Sequence, residues 1–277
     1  MLVLQMKIIK SSTQLISLIN SKKLDLCFIP TMGGLHKGHL SLIKEDKKKK
    51  FKSLVSIFVN PTQFNNTKDF KSYPRNLNKD LTKLKKINPD FVFIPKKNDL
   101  FKEKRIKKIK LDKFSKYLCG KYRGNHFTGV VDVIDRFLKL INPVYIFLGE
   151  KDYQQLILIK NFIKNKYRTI VVPCKTIRDK NGFAYSTRNF LLKNKEKIIG
   201  SKIYKLIKKN KKNIKKEKNY SKKLKNLYNQ ILKLGVKKIE YLELIDLNTN
   251  TKVSFKTKKF KVFIAYYLNN IRLIDNV

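Results

Sequence analysis

Two of the three histidines in this chain of 277 residues, His36 and His39, lie three positions apart in the stretch "PTMGGLHKGHLSL". An apolar run ends just before them, Gly33, Gly34 and Gly38 surround them, and a helical pattern follows. Glycines let a backbone approach a ligand closely, and a helix start offers free N–H groups and the positive end of a dipole to an anion. Histidines at i and i+3 can there face the same phosphates and donate hydrogen bonds to charge that builds up in phosphoryl transfer. A nucleotide is the ligand this arrangement suits. Two blander readings compete: a surface pair in a glycine loop, and half of a zinc site. No cysteine or third histidine nearby completes a zinc set.

Such residues need a scaffold. Five β-favouring apolar runs, at 24–31, 52–61, 89–96, 142–150 and 167–174, are separated or preceded by helical patterns at 38–49, 76–88, 129–142 and 152–166. Leu77, Leu81, Leu84 and Ile87 show the i, i+3, i+4 spacing of a buried helix face. Continuous apolar strands alternating with helices predict a parallel sheet covered on both faces, with ligands bound beyond the carboxyl ends of the strands. The texture changes near residue 176. A polar loop leads into Lys-rich helices at 194–212 and 219–234, then strands at 237–247 and 260–268. This predicts a domain at 1–176 and a second, smaller α/β domain at 177–277. The Lys-rich 208–223 stretch suits an exposed helix pair or linker.

A hydrophobic fraction of 42% with 11% aromatics predicts a folded protein. No apolar run approaches the roughly 20 residues a membrane helix needs, and no signal-peptide pattern opens the chain, so a cytoplasmic protein is expected. Cys27, Cys119 and Cys174 have no CxxC spacing and sit in apolar or mixed segments, which predicts buried free thiols. The net charge is +45, yet only eight of the 65 basic residues are arginine, and the lysines are spread along most of the chain. That pattern favours compositional drift over a specific nucleic-acid partner. The field would still draw in small anions such as nucleotides.

The His-x-Gly-His stretch resembles the nucleotide-binding signature of the pantoate–β-alanine ligase (pantothenate synthetase) family. Those nucleotidyltransferases share the loop with class I aminoacyl-tRNA synthetases, so the loop alone would mark only the superfamily. Further blocks keep the family's order: "SIFVNPTQF" (56–64), "RGNHFTGVVDVI" (123–134), "FLGEKDYQQL" (147–156), "YSTRNFLL" (185–192) and the closing "IRLIDNV". The similarity spans nearly the whole chain, and every histidine lies inside a block.

The resemblance implies a Rossmann-like doubly wound parallel sheet, a smaller C-terminal domain closing over it, and a homodimer. The implied reaction is ATP-dependent condensation of (R)-pantoate with β-alanine through a pantoyl adenylate, releasing pyrophosphate and AMP. Mg²⁺ would travel with ATP rather than in an all-protein cage. Carried over by position, the resemblance assigns ATP binding to Met32, Gly33, Gly34, Leu35, His36, Lys37, Gly38 and His39. It adds Gly149, Glu150, Lys151, Asp152 and Ile177, and the loop Tyr185, Ser186, Thr187 and Arg188. His39 would be the proton donor, and His36, Lys151 and Arg188 the other groups that meet developing charge. Gln63 and Gln155 would hold pantoate, with Gln63 bordering the β-alanine site; Asn60, Arg123 and His126 would complete that end. Asp152 reads as a magnesium-side residue, whereas Gln154 fits the solvated face of the helix that carries Gln155.

Four positions depart from the family's pattern: Gly34 where Ala or another small or polar residue is usual, Tyr185 for Met, Thr187 for Ser, and Asn125 where glycine is common. They bear on loop closure, not on reaction class. Two other readings remain. A related nucleotidyltransferase acting on a phosphorylated acceptor predicts a further basic pocket and no paired glutamines. An RNA-binding protein that has lost catalysis predicts decay of the catalytic blocks.

Overall fold

The computed structural model describes residues 6–102, 109–164, 166–214, 220–254 and 256–277. Within the Lys-rich 208–223 stretch, 215–219 lie outside the described residues, as do the first five residues of the chain. In chain order the first part comprises β1 (Lys7–Ile9), α1 (Ser12–Lys22), β2 (Leu26–Thr31), α2 (Lys37–Asp46), β3 (Lys52–Ile57), α3 (Thr67–Ser72) and α4 (Leu77–Ile87). It continues with β4 (Phe91–Phe93), α5 (Lys97–Leu100), α6 (Cys119–Tyr122), α7 (His126–Ile141), β5 (Tyr145–Gly149), α8 (Tyr153–Lys164) and β6 (Ile170–Cys174). The remainder is α9 (Asn194–Ile214), α10 (Tyr220–Leu232), β7 (Lys238–Asp246), β8 (Phe260–Leu268) and β9 (Ile271–Asn276).

The first six strands form one sheet in the order β1-β4-β3-β2-β5-β6, and every pairing is parallel. The period of two along a strand sends neighbours to opposite faces. Phe28 of β2 therefore joins the core beneath α1, α7 and α8, while Ile29 joins the one beneath α2 and α4. Phe28 is fully buried, with its ring centroid 5.1 Å from that of Phe137. Truncating it to alanine would cost about 3–5 kcal/mol. Helices α1, α4 and α7 each stop on a left-handed residue, Lys23, Asn88 and Asn142, which turns the chain back towards the sheet.

The antiparallel sheet β7-β8-β9 packs on α9 and α10 as a separate core. A fourth cluster joins the two parts: Phe114, Leu118, Phe127 and Leu158 meet Tyr241, Ile245, Phe263 and Ala265. The short helices α3, α5 and α6 and three further elements were not expected from the sequence. Strand β1 is only three residues long, α1 buries only Ser12, Leu15 and Leu18, and β9 alternates too weakly to stand out. Along α4, Leu84 is buried as expected, but Leu77 is 42% exposed and Asp80 takes the inward place instead.

Candidate active site

The chain leaves the central strand β2 for β3 on one side and later returns to β5 on the other, so a crevice opens where these connections diverge. A cavity of about 270 Å³ lies there, bordered by the loops that follow β2 and β5.

After β2 the Thr31 hydroxyl donates to the Ser56 carbonyl (2.7 Å) and accepts from Gly33 N (3.3 Å). Gly34 N and Leu35 N then donate to the two oxygens of Asp80 at 2.8 and 2.7 Å. Asp80 is 2% exposed, so this carboxylate stands in for a ligand to the loop's own amides. Gly34 has φ +59°, and a Cβ there would stand 2.3 Å from Cγ2 of Thr187.

The two histidines form a capping box at the start of α2. His36 Nδ1 accepts from Gly38 N at 3.1 Å, and His39 Nδ1 accepts from His36 N at 3.4 Å. With each Nδ1 used as an acceptor, the proton of each neutral ring sits on Nε2. Burial, then His39 and the ammonium groups of Lys151 and Lys83, lower His36 to about 2. Burial is also the main cause for His39, lowered to about 4, against an opposing pull from Asp152. Both rings are therefore neutral at pH 7. With their centroids 4.0 Å apart, they form a paired donor edge.

Across the cavity, Asn60 donates to Gln63 Oε1 (3.2 Å) and to the Gly129 carbonyl (3.0 Å), and Gln63 Nε2 donates to Met32 Sδ at 2.8 Å. Gly129 is required by this contact, because a Cβ would lie 2.3 Å from the Thr62 carbonyl oxygen. His126 Nδ1 donates to Gln63 O (2.7 Å), and its Nε2 accepts from Arg123 (3.1 Å). His126 thus carries its proton on the opposite nitrogen from the other two histidines, and burial beside Arg123 lowers it to about 3. Arg123 and His126 reach the glutamine through its backbone.

Lys151 lies in the cavity wall with Nζ 3.5 Å from Asp152 Oδ1. The 185–188 segment closes the other side. Tyr185 N donates to the Ile177 carbonyl at 3.0 Å, and the Tyr185 ring lies 19° from parallel with His36, centroids 6.4 Å apart. Ser186 Oγ accepts from Arg188 N at 3.3 Å, and the Thr187 hydroxyl donates to Gly34 O at 3.1 Å. Arg188 rests on the Asp69 carboxylate at 3.1 and 3.3 Å.

Met32, His36, Gly38, His39, Asn60, Gln63, Arg123, His126 and Gly149 thus line one cavity with Lys151, Asp152, Gln155, Ile177 and residues 185–188. Gly33, Gly34, Leu35, Lys37 and Glu150 do not line it. Leu35 is a core residue, Lys37 is exposed over the Tyr185 ring, and Glu150 pairs with Lys261 at 3.3 Å. Gln154 is not on a solvated face. It is 5% exposed, accepts from Cys119 N, and donates to the carbonyls of Phe114 and Tyr117. All three cysteines are free and buried, as expected.

Sequence reasoning missed Asp80 and Asn276. An acidic residue on the apolar stripe of α4, four places before Leu84, is the signal that could have found the first. The second, whose side chain grips the loop after β5, had only its place in the closing block.

Among the described residues no three or more His, Cys, Asp or Glu side chains gather as a metal site. No helix among them is long and apolar enough to cross a membrane.

The chain is similar to known proteins over nearly its whole length. The family model described as "Pantoate-beta-alanine ligase" matches residues 5–277. A pantothenate synthetase of Ruthia magnifica is 38% identical over 98% of both chains, and one from Flavobacterium psychrophilum is 38% identical over 90% of both. A crystal structure of the Francisella tularensis pantoate-β-alanine ligase, complexed with β-γ ATP and β-alanine, superposes with a TM-score of 0.83. It is 35% identical, over 98% of this chain and 97% of that one. The Thermus thermophilus pantothenate synthetase superposes with a TM-score of 0.85 at 25% identity, over 98% of each chain.

Proposed function

The chain belongs to the pantoate–β-alanine ligase family, and from that premise we propose that it joins pantoate to β-alanine at the expense of ATP through a pantoyl adenylate. The observation that carries this reading is the convergence on one cavity of two neutral histidine donors, Lys151 and Arg188 with the amides of Gln63 and Gln155.

In the first step a pantoate carboxylate oxygen attacks the α-phosphorus of ATP, and the bond to the pyrophosphate oxygen breaks. Such a displacement needs alignment and charge stabilisation more than covalent help. The Nε2–H groups of His36 and His39 donate to oxygens that gain charge, His39 on the leaving side, while Lys151 and Arg188 add positive charge. Arg188 must exchange Asp69 for phosphate to do so. Gly149, where a Cβ would meet nothing within 4 Å, leaves room for the nucleotide at the end of β5. Met32, Gly38, Ile177 and the 185–187 backbone complete the nucleotide side.

Gln63 and Gln155 hold pantoate through its carboxylate and hydroxyls. Asn60 fixes the Gln63 amide, and Arg123 and His126 fix its backbone. In the second step the free amine of β-alanine attacks the acyl carbon, the acyl–phosphate bond breaks, AMP leaves, and the amine proton passes to water. Mg²⁺ fits as a companion of the triphosphate, where it would neutralise charge, with Asp152 as the carboxylate on the cavity wall. The closing part begins near residue 177, where the sequence texture changes, and the enzyme works as a cytoplasmic homodimer; the dimer rests on the family resemblance and the location on the absence of a membrane-helix or signal pattern in the sequence.

The test is AMP and pyrophosphate release from ATP with Mg²⁺, pantoate and β-alanine. Turnover that needs both acids supports the ligase. Turnover with nicotinate mononucleotide or glycerol phosphate instead would assign another nucleotidyltransferase.

A further inference from the structure

Asn276 closes β9 and is 4% exposed, yet its side chain serves the other part of the molecule. Its amide nitrogen donates to the carbonyls of Glu150 and Lys151, both at 2.9 Å. Its side-chain oxygen accepts from Lys261 Nζ at 3.0 Å, and the same ammonium reaches Glu150 Oε2 at 3.3 Å. The backbone of Asn276 is itself fixed. Its N–H donates to Asp275 Oδ1 (2.8 Å), and its carbonyl accepts from Arg178 (3.1 Å). Arg178 in turn grips Asp275 with two bonds of 2.6 and 2.8 Å.

Both N–H bonds of one amide are thus spent on the two carbonyls that flank the Lys151 Cα. Fixing those peptide planes fixes the direction in which the Lys151 side chain leaves the loop. The turn Glu150–Asp152 has only three residues and cannot do this alone. A hydrophobic residue at 276 would leave two carbonyls without these partners and free to rotate.

We propose that Asn276 is a positioning residue: it aims Lys151 at the ATP phosphates, so the nucleotide site is complete only with the C-terminal sheet in place. This rests on the ATP-dependent ligase reading and adds to it a residue outside the nucleotide-binding blocks.

The full chain with Asn276→Ala or Asn276→Asp tests it, read by calorimetric ATP affinity, by KM and kcat, and by thermal midpoint. The alanine variant should weaken ATP binding and raise its KM about tenfold, and lower kcat about tenfold or more, with the KM for pantoate unchanged. Above its pKa, the aspartate variant faces two carbonyls with a carboxylate. Protonation restores one donor, so its ATP affinity should improve as pH falls, unlike that of the wild type. Affinities and KM values report the folded fraction and are independent of how much folds. ATP affinity and KM within twofold of wild type in both variants would overturn the proposal. So would equal losses for ATP and pantoate that follow a lowered midpoint. A wild type that binds ATP but makes no product would sink the ligase reading, while the ATP affinities would still decide the role of Asn276.

Discussion

Thr187 donates its hydroxyl to the carbonyl of Gly34 at 3.1 Å, and its Cγ2 stands 2.3 Å from where a Gly34 Cβ would be. The Thr187 methyl occupies the space that a side chain at 34 would need. Gly34→Ala alone should therefore damage the loop, through the clash and through strain at φ +59°. Thr187→Ser alone should be mild. In the double variant the serine makes room for the alanine, with a favourable coupling of about 1 kcal/mol or more. A double-mutant cycle read by urea unfolding and by the KM for ATP checks this, and strict additivity would refute it.

Asp80 organises the nucleotide loop without touching the cavity. Its two oxygens accept from consecutive backbone amides at 2.8 and 2.7 Å in a buried setting. Asp80→Asn keeps one acceptor and turns a donor on the other amide. It should cost about 1–3 kcal/mol of stability and raise the KM for ATP, with little change for pantoate. Denaturation and substrate-specific KM values measure both effects.

All three histidines are depressed below their ordinary value: His36 to about 2, His39 to about 4 and His126 to about 3. The unliganded protein should therefore show no histidine titration between pH 5 and 8, and NMR of the three ring Cε1–H signals would reveal it directly. The sign for stability follows. The unfolded chain binds protons below its histidine pKa near 6.5 while the folded protein does not, so stability falls as pH drops below about 6.5. The loss should be about 1–2 kcal/mol per histidine by pH 5.

Asp46 runs the other way. It is 1% exposed at the end of α2, neither oxygen has a hydrogen-bond partner within normal distance, and the Cys27 thiol lies beside it. Burial raises it to about 6 against an opposing pull from the Cys27 thiol, and the lesser effects of Asp90 and Lys47 act in opposite directions. Its folded pKa exceeds its unfolded one, so the stability it contributes is present below the unfolded value and is lost as pH rises through about 6. Asp46→Ala should therefore stabilise the protein by roughly 1–3 kcal/mol at pH 8 and by almost nothing at pH 4. Urea unfolding at the two values gives the comparison.

Strands β2, β3 and β5 were legible because each is an apolar run of β-favouring residues, largely buried on both faces as the inside of a parallel sheet demands. The histidines were legible because their spacing with Gly38, between an apolar run and a helical pattern, suits a helix start beside an anion better than a surface pair or half of a zinc site. What escaped is what acts across long sequence separation. Asp80 holds amides 45 and 46 positions away, and Asn276 holds a loop more than 120 positions away. Neither contact leaves a local periodicity. Gln154 and Gln155 are adjacent and chemically identical and both border the cavity, so only the packing of α8 against residues 114–119 shows that the amide of the first is tied to the backbone there.

In the proposed mechanism His36 and His39 meet charge on ATP in a first step that needs pantoate alone. Exchange of labelled pyrophosphate into ATP, with pantoate present and β-alanine absent, tests it most directly. Exchange in the wild type should depend on pantoate and fall about 10²–10³-fold in His39→Ala. Exchange that requires β-alanine, or that survives the loss of His39 intact, would contradict it.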